Sequence, residues 1–277
     1  MNCKEAFDLI DNEIAALNDA LRTGDDQPLT GFLDLMARFF MGSFWNAALI
    51  QSQRPDATHV AGFDAWKKQG RYVRKGERGI AILCPAFGNR SSVDVDLSDP
   101  VNSRESVISR QTMRVNTVFD ISQTEGDSVP ACLPTDADFG IWMQIMEGLV
   151  GRDQSLDEKT QSSFTESREL RQNEYDRFAA MVQIWAPKRL HHHSGLRKGL
   201  IKAVCDAEAK AFAYVVCHAC GIPLANEDQE FLPLYRGSQE SLSESLAYIK
   251  QSTREWLGIL NVIKGVSHRS RSVIVTA

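Results

Sequence analysis

Near the start of the chain Phe7, Ile10, Ile14, Leu17 and Leu21 fall three or four positions apart, a stripe that predicts an amphipathic helix. The turn residues of Thr23–Pro28 end it. The apolar stretch from Phe32 to Ile50 predicts a second, largely buried helix interrupted near Gly42, and Pro55 closes that element. A short helix is expected over Phe63–Gln69, with Gly70 supplying a left-handed cap. Arg71–Arg74 and Gly79–Cys84 read as strands on either side of Lys75-Gly76-Glu77-Arg78, which predicts a hairpin, and Met113–Phe119 supplies a third strand for it. Residues 88–110, rich in Ser, Asp and Asn, read as an exposed loop.

Loop composition from Ser128 to Pro134 predicts a domain boundary. Helical patterning follows at 138–150, at Leu170–Trp185 just before Pro187, at Leu200–Cys220 ended by Gly221 and Pro223, and at Leu242–Val262. The polar stretch Gly151–Ser167 is expected to be an excursion within this half. The expected architecture is α+β in two domains: 1–130, a small antiparallel sheet with helices, and 131–277, rich in helix.

Composition narrows the function classes. The 277 residues are 43% hydrophobic and 24% charged, ordinary usage for a globular protein. No apolar run approaches the roughly 18 residues that would cross a bilayer. The acidic start MNCKEAFDLIDNE lacks the basic and apolar regions of a secretory signal, so a soluble cytoplasmic protein without membrane partners is expected. Six cysteines in such a chain predict free thiols. The formal charge of −5 excludes a uniformly basic coat but leaves room for a local basic strip.

Such a strip is present. Lys67, Lys68, Arg71, Arg74, Lys75 and Arg78 face one intervening acid, Glu77, with Trp66 and Tyr72 among them and Trp45 and Phe63 upstream. Cations tracking phosphates beside rings that stack unpaired bases would bind single-stranded nucleic acid with little sequence preference. The alternative is a solvated charged hairpin with Trp45, Phe63 and Trp66 in the core.

The stretches Phe44-Trp45-Asn46-Ala47-Ala48-Leu49-Ile50, Gln53-Arg54-Pro55-Asp56-Ala57-Thr58, Val60–Trp66, Gly70-Arg71 and Val73–Ile82, followed by Val118-Phe119-Asp120-Ile121-Ser122-Gln123-Thr124-Glu125-Gly126, resemble the amino-terminal domain of ArdC-type antirestriction proteins. The last run matches that family's V-F-D-x-S-Q-T-E-G. The resemblance spans most of residues 40–126. It implies a single-stranded-DNA-binding first domain, encoded on plasmids and other mobile elements, that shields incoming DNA from host restriction. The candidate nucleic-acid-binding residues are then Trp45, Asn46, Arg54, Trp66, Lys67, Lys68, Arg71, Tyr72, Arg74, Lys75 and Arg78. Single-stranded DNA is the expected partner, and a host restriction or defence protein is a second.

The resemblance further implies a second domain like a zinc metallopeptidase, with H-E-x-x-H on one helix and a glutamate on the next. Here the corresponding positions read Gln183-Ile184-Trp185-Ala186-Pro187, and Lys210 stands in place of the third ligand. Zinc hydrolysis needs three N, O or S ligands and a carboxylate base, so this pattern predicts a non-catalytic relic without metal or cofactor. Lys210 would point its ammonium into the former metal cavity, and Glu208, rotated by about 200°, would face the other way. Two alternatives remain open. One is a metal-dependent peptidase recruiting His191, His193 or the thiols Cys217 and Cys220. The other is a module that docks on a defence protein. On the bland side, the three histidines 191–193 read as a solvated loop, His218 as a surface residue, Cys217 and Cys220 as small-residue packing, and the tail Ser267–Ser272 as an extra phosphate contact.

Overall fold

The computed structural model describes residues 1–40, 42–86, 113–129, 136–152, 174–192, 199–222, 224, 231–234 and 238–263. The expected loop 88–110, most of the polar stretch after Gly151, His193 and the tail 267–272 lie outside the described residues. In chain order the elements are helices α1 (Cys3–Arg22), α2 (Gln27–Arg38) and α3 (Phe44–Gln53), strand β1 (Val60–Gly62), helix α4 (Phe63–Lys68), and strands β2 (Arg71–Val73), β3 (Ile80–Pro85), β4 (Met113–Asp120) and β5 (Thr124–Gly126). Helices α5 (Asp136–Arg152), α6 (Glu174–Pro187), α7 (Lys202–Ala219) and α8 (Gln239–Ile263) follow. The fold is α+β, helix-rich with a small antiparallel sheet. No helix among the described residues is long and apolar enough to cross a membrane.

Two compact units emerge. One holds Met1–Leu17 and Met41–Ala131, the other Asn18–Phe40 and Cys132–Lys264. Residues 18–40, which the sequence assigns to the first domain, cluster with the second unit. The reason is α2, which buries Leu29, Phe32, Leu33, Leu35 and Met36 and packs on α7.

In the first unit β4 is the centre of a three-stranded antiparallel sheet of order β1-β4-β3, with Val118 opposite both Gly62 and Ile80. Separately, β2 pairs with β5, setting Tyr72 opposite Glu125. The predicted hairpin between β2 and β3 therefore does not form, and Lys75–Arg78 links two sheets. The Arg71 side chain shows why the pairing goes this way. Its Nε donates to Thr124 Oγ1 at 2.8 Å, and its terminal nitrogens donate to the carbonyls of Thr124, Gly126 and Asp127. Those acceptors converge on Arg71 only when β5 lies beside it, and they satisfy a guanidinium that would be costly to half-bury alone.

Two glycines permit the same approach. Gly70, after the last turn of α4, has φ +73°, and a Cβ there would lie 2.1 Å from the Asp127 carboxylate. Gly126 has φ +131°, and a Cβ there would lie 2.2 Å from the Gly70 carbonyl oxygen. Any side chain at either position would force β2 and β5 apart.

Helix α3 closes the free edge of β3. Asn46 donates to the Leu83 carbonyl (3.0 Å) and accepts from the Leu83 N–H (2.8 Å); seven residues on, Gln53 makes the same pair of bonds with Ala81, both at 2.9 Å. Residues two helical turns apart share a face, as do alternate strand residues on an edge, so the two spacings match.

In the second unit α7 is surrounded, packing on α2, α6 and α8, and every residue from Ala211 to Cys217 is buried. Its alternating alanines let neighbouring helices approach. Lys250 on α8 is 2% exposed, and its Nζ donates to the carbonyls of Met36 and Phe39 at the end of α2. Two bonds are what a neutral amine's two N–H groups can supply. Burial, reinforced by Arg254, lowers the ammonium's pKa to about 7. Since the unfolded lysine titrates near 10.5, the unfolded chain holds the extra proton between those values, and this group's contribution to stability rises with pH across that window. Denaturant unfolding between pH 7.5 and 9 should show wild type gaining on Lys250→Met by up to about 1.4 kcal/mol per pH unit. Parallel curves for the two proteins would refute the reading.

Candidate nucleic-acid interface

The run Val118–Gly126 holds the basic segment from below. Asp120, 1% exposed, accepts from the backbone N–H groups of Thr58 (2.8 Å), His59 (3.0 Å) and Ser122 (2.9 Å). Burial acts to raise its carboxyl pKa, but hydrogen bonding, by the Ser122 side chain first and then by these backbone groups, outweighs it and holds the group below the usual carboxylate range. Gln123 closes a reciprocal cap, its Oε1 accepting from the Asp120 N–H at 2.9 Å. From the same side chain Nε2 donates to the Arg78 carbonyl (2.8 Å) and to Glu77 Oε2 (3.1 Å). Glu77 in turn accepts from Arg74 Nη2 (2.7 Å) and Nε (3.1 Å), and Arg74 Nη2 also donates to the Ser122 carbonyl. The carboxyl of Glu77 is lowered chiefly by the Arg74 bond and next by that from Gln123.

This framework sorts the sequence-predicted residues. Lys67, Lys68, Lys75 and Arg78 are exposed, with no hydrogen bond or ion pair from their side chains among the described residues. Arg71 is half-buried and committed to β5; Arg74 is exposed but latched to Glu77. Arg54 is half-buried, 3.6 Å from Asp56, and adds to the positive field at Glu77.

The aromatic assignments need correction. Trp66 is fully buried and donates its Nε1–H to the Phe119 carbonyl (2.9 Å), with His59 tilted against it at 5.1 Å, so no base can stack on it. Trp45 is half-buried, edge-on to Phe44 (5.2 Å) and Phe7 (6.4 Å). Asn46 is the edge cap of β3. Beside the basic strip, the rings that reach solvent are Phe63 (54% exposed) and Tyr72 (55%) on adjoining elements α4 and β2. The signal for Tyr72 was present in the sequence, since it sits between Arg71 and Val73 on a strand, whereas Phe63, three positions from the buried Trp66, is exposed as the first residue of its helix.

In the second unit the residues at the expected metal positions do not fit a zinc ion. Gln183 and Lys210 are exposed, and Ile184 and Pro187 offer no donor. The expectation that Lys210 points into a cavity is overturned. Glu208 takes the inward side, fully buried, accepting from Ser245 Oγ (2.7 Å), with its Oε2 3.7 Å from His191 Nε2. His191 is mostly buried and 3.1 Å from the Cys205 carbonyl, so it is not part of a solvated loop. His218 is likewise engaged, with Nδ1 3.0 Å from Asp34 Oδ1 and its ring stacked on Tyr214 at 3.9 Å. Cys217 and Cys220 are buried, and burial followed by the neighbouring thiol pushes the Cys217 pKa well up, against the thiolate that metal binding requires. Among the described residues no group of three or more His, Cys, Asp or Glu could hold a metal.

Replacing Asn46 by leucine leaves the Leu83 N–H and carbonyl unpaired and should cost about 2 kcal/mol of unfolding free energy in urea while the folded variant keeps its oligonucleotide affinity. An unchanged melt with lost binding would return Asn46 to the interface.

Residues 6–119 match the family described as the N-terminal domain of the anti-restriction factor ArdC. No curated protein matches the chain. Among solved structures, the metal-free crystal structure of the antirestriction ArdC protein from plasmid R388 is similar over 92% of this chain and 98% of that one, at 13% identity and a TM-score of 0.50. That likeness is one of fold, and it extends past the matched domain. With the V-F-D-x-S-Q-T-E-G run placed as the support of a basic surface, residues 6–119 form a domain that matches the family described as the N-terminal domain of anti-restriction factor ArdC.

Proposed function

We propose that this protein is a non-catalytic antirestriction protein of a mobile element, acting in the cytoplasm by binding single-stranded DNA. The observation that carries the reading is the pairing of two exposed rings, Phe63 and Tyr72, with the exposed cations Lys67, Lys68, Lys75 and Arg78, in a domain of the ArdC N-terminal family. Phosphates are held by the four cations and bases stack on the two rings. Each stacked base contributes about 1–3 kcal/mol, available only where bases are unpaired, so single strands are preferred over duplex. Four phosphate contacts give a slope of log K against log salt of about −3. Arg71 and Arg74 support the surface and are poor choices for testing it, because reversing them would break the β2–β5 pairing and the turn. The helical unit cuts nothing in this reading: its peptidase-like positions lack ligands and base.

Fluorescence titration of a labelled single-stranded oligonucleotide at several salt concentrations tests the reading. Lys67→Glu/Lys68→Glu/Lys75→Glu/Arg78→Glu should abolish binding with the thermal melt retained. Phe63→Ala/Tyr72→Ala should weaken single-strand binding by roughly a hundredfold and erase the preference over duplex. Salt-independent or absent binding by wild type would sink the proposal.

A further inference from the structure

The cations of the basic strip are not equivalent, and the difference lies in Glu77. Lys67, Lys68, Lys75 and Arg78 stand open, whereas the Arg74 guanidinium already holds a carboxylate oxygen at 2.7 and 3.1 Å. A carboxylate bound by two nitrogens of a guanidinium occupies the place that a phosphate oxygen would take. Glu77 is itself steadied in that place from the other side, its second oxygen accepting from Gln123 Nε2 at 3.1 Å. Gln123 is 1% exposed and pinned by the Arg78 carbonyl and the Asp120 N–H, so the carboxylate is presented to Arg74 by a rigid support. The ion pair sits at the surface, with the side chains of Arg74 and Glu77 46% and 24% exposed, where a surface pair is weak and a polyanion can compete.

We propose that Glu77 is an internal phosphate mimic: it occupies Arg74 in the free protein, and a nucleic-acid backbone displaces it, so the Arg74–Glu77 pair sets the affinity of the strip. This rests on the nucleic-acid reading above. The exchange lets the site reject isolated anions and short strands, which cannot offset the broken ion pair, while a longer strand held by the four open cations brings a phosphate against Arg74 at high effective concentration. It also keeps the turn folded when no strand is bound, since Arg74 would otherwise face Lys75 and Arg78 without a counter-charge.

The test is a double-mutant cycle read by oligonucleotide titration across salt concentrations, using oligothymidylate as probe. Glu77→Gln should tighten binding roughly tenfold, the worth of one charge-assisted contact, with the log K against log salt slope kept, because Arg74 meets a phosphate in both complexes. Arg74→Gln alone should make the slope shallower by about 0.7, one phosphate fewer, and in its background Glu77→Gln should change affinity by no more than about twofold. Glu125→Gln, which removes an exposed charge opposite Tyr72 with no tie to Arg74, should leave affinity within about twofold of wild type. If Glu77→Gln melts early, Glu77→Ala is carried through the same cycle. Unchanged affinity in Glu77→Gln, or an equal gain with and without Arg74, overturns the mimic and leaves the binding reading standing. Absent binding by wild type overturns that reading instead.

Discussion

A buried carboxylate with no cation beside it is tolerated only when backbone donors surround it, and Asp120 meets that condition. Three N–H groups converge on it from two separate stretches of chain, Thr58–His59 and Ser122. Through its cap partner Gln123 the same node reaches Glu77 and the Arg78 carbonyl. The strip of cations is thus a surface loop with an interior anchor. Like charges crowded into a turn repel, and an unanchored turn would relax that repulsion by spreading. The node ties the turn down at Glu77 and at the Arg78 carbonyl, which opposes that spreading.

The helical unit follows a different logic. Its central helix is surrounded by others, and the polar groups it carries inward are satisfied pairwise: Glu208 by Ser245, Tyr214 by Asp34 at 2.6 Å, and on α8 Lys250 by the end of α2. Tyr214's hydroxyl is held protonated, first by burial and then by Asp34. Pro187 closes α6 and is followed by a wider turn, Lys188–His192, whose Leu190 carbonyl accepts from the Tyr248 hydroxyl. In a helix a proline removes a backbone donor and pushes on the preceding turn. At this junction Ile184 and Pro187 offer no donor, and Gln183 and Lys210 are exposed.

Much of this was readable from the residues alone. The α1 stripe, the α4 helix with its Gly70 cap, the breaks near Gly42 and Pro187, and the strand character of 79–84 and 113–119 rest on local periodicity and turn chemistry, and the structure has them. The pairing of β2 was not legible, because a four-residue Gly-bearing link is compatible with a hairpin whatever partner the strand finally takes; Arg71's acceptors lie more than fifty residues away. Trp66 and Asn46 were misplaced for a related reason. A tryptophan amid lysines and an asparagine beside a tryptophan carry no mark of burial, and only the distant Phe119 and Leu83 backbone groups decide it. The inward turn of Glu208 in place of Lys210 is a two-residue rotation that an alignment to a ligand motif cannot reveal.

The amide pair Asn46 and Gln53 has a consequence for the company this protein keeps. An outermost strand ordinarily advertises a row of unsatisfied main-chain groups to any extended peptide, including one from a sister molecule. Here those of Ala81 and Leu83 are answered from within by side-chain amides, and the opposite margin of the sheet, β1, is three residues long. The sheet is sealed against growth at both margins, so copies of the chain have no open strand here along which to zip together.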